Sequence, residues 1–187
     1  MTTRQAGYSL VEMMGAFVVM GLALGIVASV YSKASTAERE AQAVRVVQSA
    51  AQAVRGAHPF AFYDQVDAKT LANAAGLSDA SWDDAANGMR LDDIGVLSAY
   101  PVLSGELPDG YEANTAFEIK LSLGRNPSLC SSLAAAFKAQ ARRVYVVARG
   151  QSFVLSDSDN PTDVPGGMDY VASVCRGGGV DLWLTFT

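Results

Sequence analysis

The sequence predicts an α+β fold: one long N-terminal α-helix, apolar in its first half, packed on a C-terminal antiparallel β-sheet. Three observations predict it. Met13–Ser32 is an uncharged run, and a bilayer core needs roughly 20 apolar helical residues. From Lys33 to Arg55 the chain turns polar without a Gly or Pro, so the helix continues past the apolar run. From Thr115 onward, short segments of period two are separated by Gly, Pro and Asn turns, as in strands with one buried face.

The start of the helix carries the strongest signal. Gly7-Tyr8-Ser9-Leu10-Val11-Glu12 leads directly into the apolar run. A carboxylate is costly in lipid and is by default a functional candidate there. A secretory signal peptide has an apolar core of only about 7–15 residues, shorter than this run, and Glu12 stands where a basic region should pass into that core. A plain membrane anchor fits the length but leaves Glu12 unexplained. A short polar leader ending in Gly, then Glu as the fifth residue after it, then an apolar helix, resembles the type IV pilin family and the related pseudopilins of type II secretion.

That resemblance implies a specific life cycle. Met1–Gly7 is the leader, and a prepilin peptidase cuts between Gly7 and Tyr8 and methylates the new Tyr8 amine. Glu12 then meets the N-terminal amine of a neighbouring subunit inside the filament. A buried carboxylate is tolerated when paired and hydrogen-bonded, so the pairing fixes register more than it adds stability. Further implied partners are identical pilin subunits in a helical homopolymer, the inner-membrane assembly machinery, and the inner membrane before assembly. The implied location is the inner membrane for the precursor and an extracellular pilus, or fimbrium, for the product.

The domain organisation follows: leader 1–7, hydrophobic half-helix 8–32, amphipathic half-helix 33–56, and globular region 57–187. Val44, Val47, Ala51 and Val54 recur at helical spacing as an apolar stripe. Glu38, Glu40, Arg45 and Arg55 lie on the more polar surface, and Gly56 and Pro59 supply the stop. A helix from about Ser9 to Arg55 would be on the order of 70 Å long. Gly21 and Gly25 form a GxxxG pair that lets membrane helices approach closely, although glycines are also simply common in such helices. With Gly15 they are the places where the helix could loosen.

Residues 56–116 read poorly. Lys69–Ala75 is a candidate short helix, and the acidic run from Trp82 to Asp93 reads as a solvated surface. Beyond it, Phe117, Ile119, Leu121 and Leu123 alternate with Glu118, Lys120 and Ser122 as a half-buried strand. Asn126-Pro127-Ser128 opens a helix to about Gln140, with Cys130 in its first turn. Val144–Ala148 and Ser152–Leu155 read as a hairpin turning at Gly150-Gln151. A short helix from about Met168 carries Cys175, and Val180–Phe186 is the last strand. This order resembles the C-terminal half of the type IVb pilins. It implies a Cys130–Cys175 disulfide bracketing a surface region, consistent with an exported domain. The chain-entropy account gives such a bond roughly 4 kcal/mol.

Composition narrows the function. The net charge is −5 over 187 residues, and an acidic surface argues against general nucleic-acid binding. Cys130 and Cys175 form no CxxC motif. The one histidine, His58, follows a helix end beside Pro59; a Cys130–His58 nucleophilic pair would need a free thiol and an orienting third group, and the implied disulfide takes the thiol away. Asp157, Asp159 and Asp163 could gather around calcium, as a C-terminal loop does in pseudopilins, but Asp-rich turns are commonplace. Arg142-Arg143 reads as a surface or strand-edge pair. The expectation is a non-enzymatic structural subunit without cofactor or metal. The surface roles open to it are adhesion, aggregation and conjugation. A minor pilin, a secretion pseudopilin and a membrane-anchored periplasmic binding domain are the alternatives.

Overall fold

The computed structural model describes residues 10–73, 77, 81–92, 94–102, 115–124, 126–158, 168–177 and 179–187. Helix α1 spans Leu10–Ala57, α2 Pro127–Phe137 and α3 Met168–Cys175. The strands are β1 (Ser81–Asp83), β2 (Gly88–Leu91), β3 (Gly95–Pro101), β4 (Phe117–Gly124), β5 (Arg143–Ala148), β6 (Gln151–Asp157) and β7 (Val180–Phe186). The chain divides within α1 into two compact units, Met1–Glu38 and Arg39–Thr187.

The second unit is built on one seven-stranded sheet in the order β1-β2-β3-β4-β7-β5-β6, with every pair antiparallel. The last strand in sequence therefore lies between β4 and β5. Alternation sets the two faces. Ile119, Leu121, Leu123, Val144, Val146, Leu182, Leu184 and Phe186 are buried on one of them, in a single cluster with Ala43, Val47, Ala50, Ala51 and Val54 of α1 and Leu129, Leu133 and Phe137 of α2. The stripe read from the sequence is thus the buried one, widened by Ala43, Val46 and Ala50, while Val44 is only partly buried.

The end of α1 is fixed to the end of the chain. Arg55 donates from Nη2 and Nε to the Thr187 carbonyl at 2.9 and 3.2 Å. Its guanidinium stands 5.6 and 5.9 Å from the ring centres of Phe186 and Phe117. Gln48 of α1 bonds Gln140, just beyond α2, at 3.0 Å.

Several sequence readings shift on contact with the structure. The acidic run is not featureless surface, because β1 and β2 pass through it and Arg90 pairs with Asp83. Asp83 also caps the turn between them by accepting from the Ala85 and Ala86 amides at 3.1 and 3.2 Å. Asp84 and Asp92 are exposed. The candidate helix at Lys69–Ala75 is a 3-10 turn over Ala68–Asn73. It starts where Asp67 Oδ1 accepts from the Lys69 and Thr70 amides. Helix α2 ends at Phe137 rather than near Gln140. The β5–β6 turn is Arg149-Gly150, both at positive φ (53° and 74°), as a two-residue hairpin of this kind requires; Gln151 already pairs with Ala148.

Candidate functional site: the apolar helix and the disulfide-closed region

The first candidate site is the apolar part of α1. Phe17, Met20, Leu22, Leu24, Ile26 and Val30 are all more than 60 % exposed. Exposed apolar surface on this scale marks a region that meets lipid or another protein. The helix is long and apolar enough, by length and composition, to cross a membrane. Its hydroxyls do not spoil that surface. Ser29 Oγ donates to the Ile26 carbonyl at 2.8 Å, and Thr36 Oγ1 to the Ser32 carbonyl at 3.0 Å, so each is satisfied by its own helix.

Gly21 and Gly25 face open space: a Cβ at either position would meet no neighbouring atom within 4 Å beyond the helix's own backbone. Glu12 falls within α1, but its side chain lies outside the described residues. Gly7 and Tyr8 lie outside them as well.

The second candidate site is the region closed by the disulfide. Cys130 and Cys175 are bonded, at a sequence separation of 45, and both are buried. The bond joins the first turn of α2 to the last residue of α3. Neither thiol is available as a nucleophile, and the Cys130–His58 pair set aside on sequence grounds has no chemistry. His58 instead sits against Tyr63, with ring centres 5.8 Å apart. Of the three aspartates considered for calcium, Asp157 is the last residue of β6 rather than part of a loop and lies 3.5 Å from Arg143 Nε, while Asp159 and Asp163 lie outside the described residues. Among the described residues no group of three or more His, Cys, Asp and Glu side chains could hold a metal.

The outer face of the sheet holds residues that the sequence reading passed over. Tyr100 of β3, Trp183 of β7 and Tyr145 of β5 form a row of rings. The Tyr100–Trp183 centres are 5.5 Å apart, and those of Trp183 and Tyr145 are 5.8 Å apart with planes 9° from parallel. Glu118 accepts from Tyr145 Oη and Thr185 Oγ1, each at 3.0 Å. Lys120 pairs with Asp181 at 3.0 Å and stands 5.4 Å from the Trp183 ring centre. The signal for this row was present: Tyr145 and Trp183 occupy the polar phase of strands whose other phase is aliphatic. Arg143 belongs to this face, on an interior strand rather than at an edge.

With this geometry established, comparison with known proteins places the chain. Residues 2–28 match the family described as the prokaryotic N-terminal methylation motif. The architecture, a long apolar N-terminal helix and an antiparallel sheet, is the type IV pilin fold. It is similar to the crystal structure of TcpA, a type IV pilin from Vibrio cholerae El Tor biotype, with a TM-score of 0.51. The two chains are 12 % identical, and the likeness covers 80 % of this chain and 99 % of that one. No curated protein sequence matches the chain.

Proposed function

We propose that the chain is the structural subunit of a type IV pilus, of the type IVb form. The observation that carries this reading is the methylation motif over residues 2–28 at the head of a helix whose large apolar side chains are exposed. A motif of that kind on an otherwise buried helix would have no surface to polymerise through. The Cys130–Cys175 bond supports the subclass. Met1–Gly7 is then the leader, cut before Tyr8 by a prepilin peptidase that also methylates Tyr8. Residues 8–32 wait in the inner membrane and enter the filament core on assembly, while 33–56 and 57–187 form the outer part of the extracellular filament. Glu12 pairs with a neighbouring subunit's amine, and Gly21 and Gly25 let helices approach.

The intact mass of the protein from its native host tests this reading. The expected mass is that of Tyr8–Thr187 plus one methyl, less two hydrogens for the disulfide. A mass retaining Met1–Gly7, from cells with an active prepilin peptidase, overturns the reading in favour of a plain membrane anchor. Abundance in a sheared surface fraction then separates a major pilin from a minor pilin or a secretion pseudopilin. Replacing Glu12 by Ala should leave insertion and processing intact and impair assembly.

A further inference from the structure

We propose that the outer face of the sheet is a binding cleft for a neutral saccharide. The inference rests on that face alone and does not depend on the filament reading. Above β5 and β7 lies an open cleft of about 590 Å³, walled by Tyr100, Trp183 and Tyr145 with Glu118 and Arg143. That volume falls within the range of small-molecule sites, which combine apolar and aromatic walls with a few placed polar groups.

The chemistry of the walls selects the ligand class. Strands β4, β7 and β5 are interior strands with partners on both sides, so their backbone groups are committed to the sheet. A peptide cannot dock here by adding a strand, which needs a free edge, and recognition must come from side chains. Each cation has a carboxylate beside it: Lys120 lies 3.0 Å from Asp181, and Arg143 Nε, which makes no hydrogen bond, lies 3.5 Å from Asp157. Of the residues that line the cleft only Glu118 and Arg143 are charged, one of each sign, and this balance favours a neutral ligand over a sialylated or phosphorylated one.

What remains is a row of half-buried rings beside groups that donate and accept hydrogen bonds. A sugar presents apolar C–H faces to rings and hydroxyls that both donate and accept, and so matches this mixture. The indole Nε1 of Trp183 is buried with no hydrogen-bond partner. An unmet donor of this kind is unfavourable, and a small adjustment of the ring on binding would let a sugar oxygen satisfy it.

The test uses the full chain in a detergent without a sugar headgroup. The chain has two tryptophans, so Trp82→Phe leaves Trp183 as the sole indole reporter. The probes are neutral oligosaccharides of glucose, galactose and N-acetylglucosamine, their sialylated counterparts, and proline-rich peptides. The expected result is a saturable shift of Trp183 emission with at least one neutral series and not with the sialylated one. Retention of that series on an array should fall about tenfold or more in Trp183→Phe and in Tyr100→Leu, as expected from losing ring contacts. It should be unchanged in Phe62→Ser. The proposal is overturned if no neutral probe shifts the emission of protein that circular dichroism shows to be folded. It is equally overturned if sialylated probes or peptides bind in preference, or if Trp183→Phe and Tyr100→Leu both retain full binding.

Discussion

Phe17–Tyr31 and Ala43–Val54 belong to the same helix, and both are rich in aliphatic side chains. Their fates differ completely. Val27 is 64 % exposed, whereas Val47 is fully buried. The difference is not one of helix propensity. Ala43–Val54 carries its apolar residues on one stripe and has a core to share within its own unit. Phe17–Tyr31 is apolar all round, a pattern that belongs to a membrane span or the inside of a larger assembly. The comparison teaches that apolar content alone does not bury a helix: only the region with its apolar residues on one stripe packs into a core of its own unit.

Substitutions can break or sharpen that contrast. The largest expected effect is confined to the second region: Cys130→Ser with Cys175→Ser should lose roughly 4 kcal/mol on the chain-entropy account, read by urea denaturation of the full chain in detergent. Next, Leu133→Ala, at a fully buried site, should cost about 3 kcal/mol. The matching Leu24→Ala, at a site 69 % exposed, should leave the same unfolding curve unchanged. A large effect of Leu24→Ala on domain stability would erase the distinction between the regions.

A smaller loss, about 1–2 kcal/mol, is expected for Arg55→Met. It removes the bonds to the Thr187 carbonyl and the stacking on Phe186 and Phe117, and a thermal melt should show it. The smallest effect concerns Asp83. The Ala86 amide, then Arg90, hold its carboxyl below the ordinary carboxylate value. A carboxyl lowered in the folded state contributes stability above its unfolded pKa and loses it as pH falls through the folded pKa. The β1–β2 hairpin should therefore loosen below about pH 4, seen as a change in the Trp82 signal in near-ultraviolet circular dichroism. Asp83→Asn should remove that step.

Much of this was legible in the sequence where the signal is local. The apolar run, the stop near Gly56 and the strands at Phe117–Gly124 and Val180–Phe186 follow from periodicity and from residues that end helices. The strands β1 to β3 were not legible. Ser81–Asp83 and Gly88–Leu91 are too short to display a period. Their pairing is fixed by partners such as Leu97 and Val96 and by the Asp83 turn, which a count of acidic residues reads as mere solvation. The outer aromatic row was missed for a related reason. Its members are spread over β3, β5 and β7, and only the strand order brings Tyr100, Trp183 and Tyr145 together. Strand order is set by long-range packing, which no window of sequence contains.

The central place of β7 has a consequence for how the protein is made. Until Val180–Phe186 arrives, β4 and β5 each present an open edge, and the sheet exists as two separate pieces, β1–β4 and β5–β6. Open edges invite pairing with foreign strands, and closing the sheet joins residues far apart in sequence, which slows folding. The domain therefore commits only once β7 is delivered, and a chain shortened before Val180 should be cleared by proteases rather than accumulate. Pulse-chase comparison of full-length and shortened chains would show this as a difference in half-life.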